Sequence, residues 1–206
     1  YDFATLEKVS TLFDTKNHSE VTSIDSYSFD QNEKKILIAT NSSPIFRHSF
    51  TADYFVYDIA SKKVSKFTSN QVQEPTFSAD GTKIGYAFEN NLYVYDLISG
   101  ASIQITQDGK KNHIINGITD WVYEEEFGCR DGFRWSPDSK HIAFWQIDAA
   151  ATKDYLMINT TDSIYSYVIP VEYPSAGEHP SPYKIGVINI DTKQNKWMSI
   201  PNDPVY

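Results

Sequence analysis

Cysteine is nearly absent from this chain of 206 residues: Cys129 stands alone. One thiol makes no intrachain disulfide, and no CxxC or Cys/His zinc spacing occurs. Nothing in the sequence sets a base beside it, so a buried or idle thiol is its expected state. Five scattered histidines form no HExxH pair. Positive charge is short as well, with 18 Lys and Arg against 27 Asp and Glu and a formal net charge of −9. No basic patch is visible, which argues against nucleic acid as a partner. The acidic balance suits solubility and leans weakly toward cationic ligands. No apolar run approaches the roughly 20 residues of a membrane-spanning helix. A GxSxG nucleophile elbow does not occur in 1–206, so no catalytic residue is assigned. No motif asks for a metal or a cofactor. The chain opens on Tyr1 rather than Met and reads as a piece of a longer protein, so the missing signal peptide says nothing about compartment.

Aromatic residues are plentiful at 15%, with 14 Tyr and 12 Phe. They favour strands, whose pleated surface accepts aromatic and β-branched side chains. Two sequence patterns recur. The first is a turn followed by an alternating strand: SFDQNEKKILIA (28–39), FSADGTKIGYAF (77–88) and WSPDSKHIAFW (135–145). The second is a strand followed by a turn: YFVYDIASKKVSKFT (54–68), LYVYDLISGASIQIT (92–106) and, less perfectly, GVINIDTKQNKWMSI (186–200). The opening YDFATLEKVSTLF (1–13) matches the tail of another copy, Tyr1-Asp2 aligning with Tyr57-Asp58 and Tyr95-Asp96. Propeller blades of four antiparallel strands repeat every ~40–50 residues and stack around a channel. The expected fold is therefore all-β, an incomplete propeller of about three to four blades. Its approximate pieces are 1–14, 15–68, 69–106 and 107–206, all within one domain. A β-sandwich is the rival, disfavoured by the repeated YVYD strand and turn.

Insertions at 107–133 and 146–183 break the period, and extra segments of repeat proteins gather on one rim, where binding occurs. The first insertion holds DWVYEEEF (120–127), expected to be a short helical insertion near 120–127. Adjacent carboxylates repel unless something positive sits among them. A Glu run is ordinarily the solvated face of a helical turn. Here Trp121, Tyr123 and Phe127 flank it and would anchor it against the protein. Paired carboxylates without a metal motif suit a protonated amine, whose N–H groups donate charge-assisted bonds to both. A glycosidase needs its carboxylates facing across ~5–10 Å, and calcium prefers spaced ligands. In the second insertion, Tyr165, Tyr167, Ile169 and Val171 alternate as in a protruding hairpin.

These residues carry a resemblance. NGITDWVYEEEF (116–127) closely resembles the propeller segment of the dipeptidyl peptidase IV family, serine exopeptidases that release Xaa-Pro or Xaa-Ala dipeptides from peptide N-termini. FRHSFTADYFVYD (46–58), RWSPDSKHIAFW (134–145) and PVEYPSAGEHPSP (170–182) are similar to further segments of that family, collinear across most of the chain. The resemblance implies that Glu125 and Glu126 bind the substrate α-amine and that Arg47 contacts a substrate carbonyl. Glu124 is then their neighbour, its own role open. The loop FGCRDGF (127–133) is shorter than in some relatives, so no subsite residue is carried onto it. The resemblance also implies that 146–183 is an arm taking part in homodimer contacts, and that an α/β-hydrolase domain, absent here, holds the Ser-Asp-His triad. This chain alone would be inert. Its partners would be peptides with a free N-terminus and the C-terminal hydrolase domain of the same chain, at a secreted, periplasmic or cell-surface location. The sequons at Asn41 and Asn159 are weak motifs.

Overall fold

The computed structural model describes residues 2–200. Two four-stranded antiparallel meanders come first. One contains β1 (Ser26–Phe29), β2 (Lys35–Pro44), β3 (Phe50–Asp58) and β4 (Lys63–Lys66) in that order; the next contains β5 (Gln73–Phe77), β6 (Lys83–Phe88), β7 (Asn91–Asp96) and β8 (Ser102–Gln104). In the third sheet β9 (Ile114–Asn116) leads to a short helix, α1 (Trp121–Glu125), and then to β10 (Phe133–Trp135) and β11 (His141–Asp148). A separate ribbon, β12 (Asp154–Asn159) with β13 (Tyr167–Glu172), leaves before β14 (Tyr183–Asn189) and β15 (Asn195–Trp197) complete the order β10-β11-β14-β15. Three blades thus stand side by side, a partial propeller with almost no helix.

The blades repeat because their turns do. Asp30, Ser78 and Ser136 each open the first hairpin of a blade, with a left-handed residue three positions on: Glu33 (φ 53°), Gly81 (φ 66°) and Ser139 (φ 57°). The second turn recurs four times. Asp2, Asp58, Asp96 and Asn189 each accept N–H and hydroxyl bonds from Thr5, Ser61, Ser99 and Thr192 respectively, and Leu6, Lys62, Gly100 and Lys193 follow at φ between 56° and 73°. Such side-chain turns need only local sequence, which is why the pattern is visible in the letters. Residues 2–14 reproduce the turn but form no strand, since no neighbouring strand pairs with them among the described residues. The turns also tie neighbouring blades: Lys35 Nζ donates to the Gly81 carbonyl, and the Asp80 N–H donates to the Ser139 hydroxyl. Burial alone would raise the Asp80 pKa. The Ser78 and Thr82 hydroxyls and the Thr82 N–H outweigh burial and hold it at about 2.

Stacking buries both faces of the middle strands. Ile36, Leu37, Ile38 and Ala39 are consecutive and all buried, as are Ile84 to Ala87. Leu37, Ala39, Tyr54 and Val56 pack on Val72, Ile84 and Tyr86 between the first two blades. Leu92, Val94 and Ile105 pack on Ile142, Phe144, Ile147 and Ile188 between the second and third. Each seam removes apolar surface from water, a gain of roughly 25 cal/mol per Å².

The third blade departs from the others in a way that positions the site. β9 and β10 pair with the same edge of β11 in succession, β9 at Gln146–Asp148 and β10 at Ile142–Phe144. They are two halves of one strand, split by the segment that carries α1. The split is pinched shut by an N–H of Gly132 donating to the Gly117 carbonyl at 3.0 Å. A Cβ on Gly132 would lie 2.9 Å from the Gly117 backbone, so a side chain would force the neck open. The arm is a hairpin whose pairing runs from Asp154↔Glu172 to Asn159↔Tyr167. Tyr167, Ile169 and Val171 lie on its second strand as the alternation predicts, whereas Tyr165 falls in the loop.

Candidate functional site

The glutamates sit on α1 because Asp120 starts it. The Asp120 carboxylate accepts the Tyr123 N–H at 3.0 Å, a side-chain N-cap. The same carboxylate accepts the Ser181 hydroxyl at 2.7 Å, while the Tyr123 hydroxyl donates to the Ser181 carbonyl at 2.7 Å. The short helix is thus bolted to the segment that returns from the arm. Trp121 meets the Tyr173 ring edge-on at 4.7 Å, and Tyr123 packs among Trp145 and Tyr183. Trp121 and Tyr123 therefore anchor the run as their positions suggest. Phe127 touches Tyr123 but remains more than half exposed.

The three carboxylates have three different environments. Successive helical positions turn by ~100°, which separates them. Glu124 is buried, and its Oε1 accepts the backbone N–H groups of His48 at 2.7 Å and Ser49 at 3.0 Å. Glu125 is largely covered, and its Oε2 lies 3.2 Å from Arg47 Nε. Glu126, the C-terminal cap, is exposed and makes no ion pair among the described residues. Arg47 and Glu125 are therefore brought together, and Glu126 is adjacent on the same turn.

Arg47 reaches this place from the first blade. β2 and β3 continue past the body of the sheet after a bulge between Thr40 and Ser43, and their hairpin closes with the Ile45 N–H donating to the Ser49 carbonyl. Arg47 stands at the tip, 73% exposed. The result is an exposed guanidinium beside one largely covered and one open carboxylate. A cation with several N–H donors would satisfy the carboxylates, and the guanidinium would meet a carbonyl or carboxylate oxygen.

Two further charged residues belong to this place, and sequence reasoning missed both. Arg130 pairs with Glu74 through Nε at 2.8 Å and a second nitrogen at 3.3 Å, donates to the His48 carbonyl at 3.2 Å, and lies 5.7 Å from the Phe50 ring centre. Glu74 is the left-handed residue of a bulge in β5 (φ 49°) and precedes Pro75. Burial pushes its pKa up, the Asp131 and Glu124 carboxylates add to that, and the Arg130 guanidinium opposes it. The one available signal was scarcity: the chain has three arginines, Arg47, Arg130 and Arg134. At the root of the arm, Glu172 has a buried Oε1 without a protein partner among the described residues. Burial, then the Asp120 and Asp154 carboxylates, raise its pKa to about 7, against Lys111. A cavity of about 490 Å³ lined by Asp108, Gln146 and Trp197 lies apart from the glutamates. The chemistry, not the volume, marks the site.

Known proteins share this sequence and this fold. The family described as the dipeptidyl peptidase IV (DPP IV) N-terminal region matches residues 30–205. Dipeptidyl peptidase 4 of Bos taurus is 34% identical over 188 residues, covering 89% of this chain and 24% of that protein. Inactive dipeptidyl peptidase 10 of Mus musculus is 31% identical over 170 residues, covering 80% of this chain and 21% of that protein. The crystal structure of Porphyromonas gingivalis dipeptidyl peptidase 4 superposes with a TM-score of 0.90 at 32% identity, over 100% of this chain and 30% of that one. The chain spans about a quarter of the length of the curated relatives it matches.

Proposed function

Since the chain belongs to the family of dipeptidyl peptidase IV N-terminal regions, we infer that it is the substrate-reading wall of a serine exopeptidase that releases Xaa-Pro or Xaa-Ala dipeptides. Glu125 and Glu126 take the protonated α-amine of the peptide, and Arg47 takes a substrate backbone carbonyl. The observation that carries this reading is the Arg47–Glu125 contact of 3.2 Å between a hairpin tip of one blade and the α1 insertion of another. A positioned amine anchor fixes how far a peptide enters. The scissile bond then falls two residues from the anchor, so dipeptide release follows from positioning. The triad belongs to a hydrolase domain elsewhere in the full-length protein, and residues 1–206 alone are inert. The arm is a contact between two copies, and the protein works outside the cytoplasm, secreted, periplasmic or at the cell surface.

A second reading has its own support: a relative of comparable similarity is named inactive dipeptidyl peptidase 10. In that reading the same propeller serves as a non-catalytic protein-binding surface. One experiment separates them. The full-length protein is assayed on Ala-Pro-nitroanilide and on its N-acetyl form, as wild type and as Glu125→Ala/Glu126→Ala. The expected result is cleavage of the free-amine substrate alone, lost in the double variant by about 3 kcal/mol or more, the scale of a buried charge contact. Cleavage of neither substrate by wild type selects the non-catalytic reading. Equal cleavage of both removes the amine clamp and leaves an endopeptidase or acylaminoacyl-peptidase relative.

A further inference from the structure

The His48–Ser49 peptide unit, one residue beyond Arg47, is gripped from both sides. Glu124 takes the N–H groups of His48 and Ser49 on one side. Arg130 donates to the His48 carbonyl on the other, and its own guanidinium is aimed by Glu74. The Arg130–Glu74 pair joins the α1 insertion of the third blade to β5 of the second, and the gripped loop belongs to the first. All three blades therefore converge on one dipeptide of backbone. Glu74 is in the left-handed region immediately before a proline, where a side chain crowds the backbone twice over. A strained residue held with its carboxylate buried against a single guanidinium is the kind of outlier that marks a functional arrangement. A lysine at 130 could not serve both ends, because the contacts to Glu74 and to His48 use different nitrogens of one planar fork.

We propose that Arg130 and Glu74 are positioning residues of the substrate site, holding the hairpin tip so that Arg47 faces the peptide carbonyl. The proposal rests on the exopeptidase reading above. Neither residue touches substrate; both act through Arg47.

The test is kinetic epistasis in the full-length protein on Ala-Pro-nitroanilide. Arg130→Met is expected to lower kcat/KM roughly 10- to 100-fold, the scale of a misplaced positioning group, mainly through KM. Glu74→Gln, which keeps shape and one acceptor, is expected to give a smaller loss in the same direction, and Arg130→Lys to recover little. In an Arg47→Ala background, Arg130→Met should add nothing, because non-additivity is the signature of residues that act as one unit. A second readout needs no turnover: amide hydrogen exchange at His48 and Ser49 should quicken in Arg130→Met while the β6 and β11 amides stay protected. A full Arg130→Met effect in the Arg47→Ala background overturns the proposal, as does an unchanged KM in both single variants. If wild type cleaves free and acetylated substrates alike, the exopeptidase reading falls and takes this proposal with it. Amine selectivity that survives with normal KM in Arg130→Met sinks the positioning role alone.

Discussion

Two segments leave the third blade, and they are held in opposite ways. The α1 insertion folds back and is tied to all three blades through Asp120, Glu124 and Arg130, each with named hydrogen-bond partners. The arm, β12 with β13, projects with Tyr155, Leu156, Met157 and Ile158 on its first strand all more than half exposed, and its aromatic contacts among the described residues lie at its root, around Tyr173. A two-stranded hairpin alone is at best marginally stable in water. The first segment is therefore built to stay still without a partner, as a preformed site requires. The second presents apolar surface that gains from being covered.

The largest expected effect breaks the first segment. Glu124→Ala strips the backbone N–H groups of His48 and Ser49, the second of them buried, of a charged acceptor that serves both, a loss of about 3 kcal/mol. The denaturation midpoint should fall, and cleavage of free-amine substrates should be lost with it. Glu126→Ala makes the contrast. An exposed side chain without a partner among the described residues should change stability by no more than about 0.5 kcal/mol, so its loss of activity would arise without a loss of fold. Urea unfolding and kinetics on both variants give the comparison. Equal midpoints for the two would refute the division between a structural and a functional glutamate.

Next in size is the pair beside it. Arg130→Met leaves the Glu74 carboxylate covered and uncompensated, whereas Glu74→Gln leaves Arg130, which is 42% exposed, still solvated. Removing the partner of a buried charge is the costlier direction, so Arg130→Met should destabilise by about 2 kcal/mol at pH 8, whereas Glu74→Gln, which removes the penalised charge itself, should change stability little. The sign with pH follows from the carboxyl. Its folded pKa is raised, so the folded state binds the proton more tightly than the unfolded state, and the penalty exists above the folded value and fades as pH falls toward the ordinary 4.5. Arg130→Met should therefore recover part of its deficit at pH 5. A deficit that grows on acidification would mean that Glu74 is not its source.

The legible part of this protein is the local part. The side-chain turns at Asp58, Asp96 and Asn189 are written within six residues each, and with them came the strands, the repeat and the propeller. The helix at 121–125 was legible through the glutamate run, while the Asp120 cap that starts it became visible only in the structure. Arg47 carried no such signal: nothing within its own hairpin indicates that it faces α1, and only the family resemblance brought the two together. The Arg130–Glu74 pair joins residues of different blades, and the left-handed Glu74 that aims it is a consequence of a bulge against β6. Stacking geometry of this kind has no periodicity in the letters. The split of one strand into β9 and β10 was likewise hidden, because it depends on two glycines meeting at the neck.

A smaller effect probes the junction between the two segments. Glu172 closes the arm hairpin opposite Asp154 and faces Asp120, with Lys111 the opposing charge. Its carboxyl is raised to about 7, chiefly by burial. The raised acid destabilises the folded state above about pH 7, and the penalty fades as pH falls below that value. Glu172→Gln should thus stabilise at pH 8 by about 1 kcal/mol after allowance for solvent screening, and by nothing measurable at pH 5. Melting curves at the two pH values check it. A variant equally stabilised at both would place the gain in packing instead of charge.

The smallest effect on the chain itself belongs to the arm, and it is the one that sharpens the contrast. Ile158 is 68% exposed and pairs with Val168, also exposed, so Ile158→Asp removes little buried surface from the protein's own core. The folding midpoint of a monomer should move by no more than about 0.5 kcal/mol. If the arm is the contact between two copies, the same charge buried at an apolar interface costs far more there, since an unpaired carboxylate must be desolvated on association. Sedimentation of the full-length variant should then shift from dimer toward monomer at a concentration where wild type stays paired. A variant that remains dimeric would take the arm out of the interface. One that unfolds outright would show the arm to be a support of the third blade, and the contrast between a tethered insertion and a free one would no longer hold.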